Sequence, residues 1–90
     1  MAVKIQIPPP MRQHTDGKAV VEVEGATVKL VLEQLGTMFP GIAGRLFDGG
    51  NLRRFVNVYL NNEDIRYLES LESKVKDGDE LAIIPAVAGG

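Results

Sequence analysis

The chain has 90 residues, 44% hydrophobic and 24% charged, with a formal net charge of −2. This is one small globular domain with a modest core. Its ten basic and twelve acidic residues are intermixed, with no basic block for nucleic acid, no apolar run long enough to span a bilayer, and no cysteine for disulfides, thiolate metal sites or a thiol nucleophile.

The first stretch, "VKIQI", alternates Val3, Ile5 and Ile7 with Lys4 and Gln6, which predicts a half-buried strand. Alternation here is not the continuous apolar core of a signal peptide, so a cytoplasmic chain is expected. Pro8, Pro9 and Pro10 end the strand. "RQHTDGK" reads as a turn built on Asp16-Gly17, with His14 as a solvated loop residue. "AVVEVEG" sets Val21 and Val23 against Glu22 and Glu24, a second strand antiparallel to the first. Thr27 is a helix cap. Val28, Val31, Leu32, Leu35, Met38 and Phe39 then recur at helical spacing, interrupted by Gly36 and stopped by Pro40-Gly41.

"IAGRLF" predicts one further helical turn, and "DGGNLRR" a mobile loop of seven residues. "FVNVYL" is a third strand with Val56, Val58 and Leu60 inward and Phe55, Asn57 and Tyr59 outward. Asn61-Asn62 turns the chain. "EDIRYL" reads as a short fourth strand anchored by Ile65, and "LESLESKV" as a short helical turn. After the tight turn at Asp77-Gly78, "ELAII" is the last strand, with Leu81 and Ile83 inward and Ala82 and Ile84 outward.

Strand, strand, helix, strand, short strand, strand describes an α+β roll. One mixed sheet is covered by one main helix, and the first and last strands are neighbours. That is the β-grasp, or ubiquitin-like, class. Residues 1–84 form the domain and 85–90 a flexible Gly-Gly tail.

Side-chain chemistry is scarce. "FDGGN" lacks the lysine and following helix of a phosphate loop. Glu63, Asp64, Asp77, Asp79 and Glu80 sit in turns, where carboxylates are well solvated, so no metal site is expected. Arg45, Arg53 and Arg54 bracket the loop and read as solvated surface, with an acidic partner as the alternative. No residue set supplies a nucleophile with its base, so the chain is not read as an enzyme. What remains is the α-carboxylate of Gly90. It is ionised and unreactive at neutral pH, with a pKa near ~3.5, but becomes electrophilic when activated as an acyl-adenylate. Ala86, Val87, Ala88, Gly89 and Gly90 form a slim arm, and residues 85–90 reach about 20 Å at roughly 3.3 Å each. A frayed end is the plainer reading of the same stretch.

"KDGDELAIIPAVAGG", with its last strand, proline and terminal Gly-Gly, resembles the small ubiquitin-like sulfur carriers. That family includes the small subunit of molybdopterin synthase and the thiamine-biosynthesis carrier. "RFVNVYLNNEDIRYL" and "IPPPMRQHT" extend the resemblance over nearly the whole chain, nearest to the cysteine-biosynthesis branch. The resemblance implies that a ubiquitin-activating-like enzyme adenylates Gly90 with ATP and that a sulfur donor converts it to a thiocarboxylate. The sulfur then passes to a cysteine-synthase-like enzyme, and a metalloprotease releases the adduct. The carrier itself binds no cofactor. Alternatives are sulfur supply for molybdopterin (through a large synthase subunit), for thiamine or for tRNA thiolation, and a protein modifier conjugated through Gly90. Partner docking is expected on the outward positions Phe55, Tyr59, Ala82 and Ile84.

Overall fold

The computed structural model describes residues 2–53 and 56–85. A five-stranded mixed sheet runs in the order β2-β1-β7-β5-β6. Its strands are β1 (Ala2–Gln6), β2 (Val20–Glu24), β5 (Val56–Leu60), β6 (Glu63–Asp64) and β7 (Glu80–Pro85). The first and last strands are parallel neighbours, with Ile5 opposite Leu81. β2 and β5 flank this pair, each antiparallel to its neighbour. The expected β-grasp arrangement is therefore present, with β7 central. No helix among the described residues is long and apolar enough to cross a membrane.

One face of the sheet carries Val3, Ile5, Val21, Val23, Val56, Val58, Leu60, Leu81 and Ile83, all buried. Helix α1 (Val28–Met38) lies over it and buries Val28, Val31, Leu32 and Leu35. Thr27 caps this helix: its Oγ1 accepts the Leu30 N–H at 3.2 Å, a bond of the kind that contributes about 1 kcal/mol. Met38 is not a core residue. It is 45% exposed, because it stands at the rim of the apolar stripe, one helical step beyond Gln34. Gly36 has a packing reason: a Cβ there would lie 3.0 Å from that of Ala43. Ala43 belongs to a second helix, α2 (Pro40–Leu46). Pro40 thus ends one helix and, as a first-turn residue, opens the next. The further turn expected at "IAGRLF" is this seven-residue helix.

Two more segments are more ordered than their composition suggests. The stretch after the prolines is a 3-10 helix (Pro9–His14) that buries Met11. His14 is half-buried and not a solvated loop residue. It fills the space over Gly41, where a Cβ would come within 2.7 Å of Nδ1. Thr15, wholly buried, closes the segment by donating to the carbonyls of Arg12 and Lys18. The stretch "DGGNLRR", expected as a mobile loop, contains a two-residue hairpin between β3 (Phe47–Asp48) and β4 (Asn51–Leu52), and its Arg54 lies outside the described residues. Gly49 and Gly50, at φ 62° and 87°, supply the positive angles that such a turn requires. Arg53 ties it to α2 through Nε donating to the Gly44 carbonyl at 2.9 Å.

The fourth strand is shorter than expected. β6 holds only Glu63–Asp64, and the chain then enters a 3-10 turn at Ile65–Tyr67, with Ile65 buried as anticipated. Asp64 is the cause. Its Oδ1 accepts the Arg66 N–H at 2.9 Å, and its carboxylate receives the Arg66 guanidinium at 2.7 Å. These bonds curl the backbone away from the strand. A further 3-10 turn at Ser70–Glu72 follows, as read from the sequence.

The Arg66 side-chain bond, with the Arg66 N–H second, holds the Asp64 carboxyl below the usual carboxylate range. A carboxyl with a lowered folded-state pKa stabilises fully above its unfolded value of about 3.9, and loses that contribution as pH falls through the folded value. Melting temperature should therefore fall more steeply in the wild type than in Arg66→Met as pH drops from about 5 to about 2, the two curves converging at the acid end. Parallel curves would remove Asp64 from the acid response.

Candidate functional site

The sheet face opposite α1 carries the outward residues of β5 and β7. Tyr59 stands opposite Ala82, and Asn57 opposite Ile84. Ala82 is also level with Gln6 of β1, and Gln6 with Val20 of β2. Strand alternation thus lines up Val20, Gln6, Ala82 and Tyr59 across four strands, with Ile84 further along β7 toward Pro85. Ile84 is 44% and Val20 49% exposed. Tyr59 and Ala82 are half-buried.

Tyr59, Ala82 and Ile84, three of the four outward positions singled out from the sequence, therefore share one surface. Phe55, the fourth, lies outside the described residues, as do the arm residues Ala86, Val87, Ala88, Gly89 and Gly90. Pro85, read as the first residue of the tail, is the last of β7 and is paired with Val56.

The structure adds residues that the sequence reading did not single out. A groove of about 310 Å³ opens beside Ile84, walled by Pro8, Pro9, Arg12, Val20 and Ala82 among others. The prolines read as a strand stop also form its rim. The Arg12 Nε donates to the Ile7 carbonyl at 3.0 Å, which holds this side chain against the end of β1. The parity of Val20 with Glu22 and Glu24 was the available signal. That groove and Tyr59 flank the strand from which residues 86–90 continue.

What aims β7 is a polar corner at its start. Asp79 is 8% exposed. Its Oδ2 accepts the Lys76 N–H at 2.9 Å, and its Oδ1 accepts the Asn61 side-chain amide at 3.2 Å. The Asn61 Oδ1 in turn accepts the Glu80 N–H at 3.0 Å. The Asn61 N–H donates to the Glu80 carbonyl, and the Lys4 N–H to that of Asp79. Asp77 accepts the Ala2 N–H at 2.9 Å. Asn61 and Asn62 supply the turn at φ 49° and 72°. The acidic residues of the last turn, together with Asp64, therefore hold backbone and side-chain donors in place. Asp79→Ala leaves a nearly buried amide and an N–H without an acceptor, and should cost about 2 kcal/mol in urea unfolding. Hydrogen exchange should quicken at the Asn61 and Glu80 amides. Unchanged protection there would relieve Asp79 of this role.

The ThiS family model matches residues 5–90. The sulfur carrier protein CysO of Mycobacterium tuberculosis is 43% identical over 93 aligned residues, which cover all of both chains. Among solved structures, the crystal structure of an Amycolatopsis orientalis BexX/CysO complex contains a chain with 48% identity and a TM-score of 0.92, covering 99% of this chain and 100% of that one. The solution structure of small archaeal modifier protein 1 from Methanosarcina acetivorans has 31% identity and a TM-score of 0.90, over 99% of this chain and 96% of that one.

Proposed function

The chain belongs to the ThiS family, and on that premise we propose that it is a sulfur carrier acting through the α-carboxylate of Gly90. The full-length match to a sulfur carrier carries this reading. A carboxylate oxygen of Gly90 attacks the α-phosphorus of ATP in an activating enzyme, and pyrophosphate leaves. A hydrosulfide equivalent from a sulfur donor then attacks the acyl carbon, and AMP leaves. The product is a thiocarboxylate, whose sulfur is the nucleophile of the next step.

The chain contributes position and not acid-base chemistry. ATP is used by the activating enzyme and is not held by the carrier, and the work is cytoplasmic. Residues 86–90 carry only small side chains besides Val87, which suits entry into a narrow channel. Cysteine biosynthesis is the favoured outlet, with a cysteine-synthase-like acceptor and a metalloprotease that frees the adduct and restores Gly90. The partner enzymes seat on the face bearing Tyr59, Ala82 and Ile84, and Phe55 serves the same docking. The groove walled by Val20 and the prolines receives a partner side chain there.

Likeness to an archaeal small modifier favours one second reading: conjugation of Gly90 to lysines of other proteins. Denaturing gels of cell extract separate the two. A single free band fits a carrier, and a ladder of heavier conjugates fits a modifier.

Incubation with the activating enzyme, ATP and sulfide should raise the intact mass by the difference between sulfur and oxygen. Deletion of Gly90 should abolish that gain. A wild-type chain that keeps its mass with its genomic partner enzyme would overturn the proposal. Ile84→Glu should leave stability within about 0.5 kcal/mol, because the side chain is exposed, and should raise the activating enzyme's KM for the carrier about tenfold. An unchanged KM would remove Ile84 from the docking surface.

A further inference from the structure

One edge of the sheet has no further strand among the described residues. β2 is its outermost strand. The Ile7 N–H donates to the Ala19 carbonyl at 2.8 Å, which sets the phase of the ladder. Ala19, Val21 and Val23 bond toward β1, and the backbone groups of Val20 and Glu22 point outward from the sheet. Both residues are exposed. Between this edge and α1 lies a groove of about 400 Å³, lined by Glu22, Val23, Glu24, Gln34 and Met38.

The helical wall of the groove is formed by Gln34 and Met38. Leu30, Gln34 and Met38 follow one another along α1, and Leu30 and Met38 are 48% and 45% exposed. Two of the chain's large exposed apolar side chains thus lie on one stripe of a single helix. The strand wall carries carboxylates instead. A strand laid along β2 would alternate its side chains between these surroundings, one set toward α1 and the other over Glu22.

We propose that this groove docks an extended segment of a partner protein, in which apolar residues alternate with lysine or arginine. The segment adds to β2 as a sixth strand. Its backbone pairs with Val20 and Glu22, its apolar residues cover Met38 and Leu30, and its cations meet Glu22. Strand addition draws affinity from the main chain and selects by alternate side chains. A second copy of this chain is the wrong occupant. Antiparallel β2–β2 pairing brings the glutamates of the two copies together, and like charges on facing strands repel. The same glutamates that guard the edge against self-pairing select a basic strand. The site meets the groove beside Ile84 at Val20, and it does not depend on the sulfur chemistry.

The test uses the full-length chain, isotopically labelled for NMR, and a capped hexapeptide of alternating valine and lysine. Amide shifts and slowed hydrogen exchange are expected at Val20 and Glu22, with methyl shifts at Met38. A valine-glutamate peptide should not bind. N-methylation of the peptide's edge-facing amides should abolish binding. Glu22→Lys, an exposed substitution, should weaken the valine-lysine peptide about threefold to fivefold and admit the valine-glutamate one. Four outcomes would overturn the proposal: no shifts at millimolar peptide, equal binding of both peptides, shifts confined to Tyr59, Ala82 and Ile84, or dimerisation through β2 without peptide.

Discussion

The hydrogen bonds made by Asp79 and Asn61 set the register on which the rest of this structure depends. β7 is the central strand, parallel to β1 and antiparallel to β5. A slip of one residue would exchange its two faces, sending Ile84 into the core and Ile83 into water. Asp79 and Asn61 prevent this by joining the turn before β7 to the turn after β5, through bonds that only one register satisfies. The Lys4 bond to the Asp79 carbonyl adds β1 to the same corner. Apolar alternation alone states which residues prefer burial. The corner states where along its neighbours the strand must stand.

From that register follows the division of the molecule into faces. Leu81 and Ile83 meet α1, while Ala82 and Ile84 join Tyr59 and Val20 on the opposite side. The strand ends at Pro85 beside a groove rimmed by Pro8 and Pro9. In the sulfur-carrier reading this geometry separates two tasks. The reacting carboxylate belongs to the last residue of the sequence, and the fold supplies a rigid, recognisable body behind it. Such a division suits a protein that must visit several enzymes in turn. Each can read the body while its own active site acts on the terminus.

The outer strand adds a different consideration. Among the described residues β2 is bordered on one side only, and its glutamates and the exposed Leu30 and Met38 give that border a chemical character of its own. It lies beyond β1 from β7 and meets the groove beside Ile84 at Val20.

By itself the sequence determined β1, β2, β5 and β7, the main helix, most inward positions and the family. Period-two alternation and helical spacing are local, and burial follows them wherever one face meets a core. It also placed Tyr59, Ala82 and Ile84 on outward positions, by parity alone. Met38 escaped that logic because a helical stripe has a rim, and only the neighbouring elements decide which rim residues are covered. The 3-10 turn after Asp64 escaped it because a carboxylate that captures the next backbone N–H overrides a strand-like composition. His14 was misjudged because its burial is supplied by Gly41, on a helix far along the chain. The groove at Pro8 and Val20 and the open edge at Glu22 are likewise decisions of the tertiary structure. Each joins residues that are distant in sequence, and strand order and register bring them together.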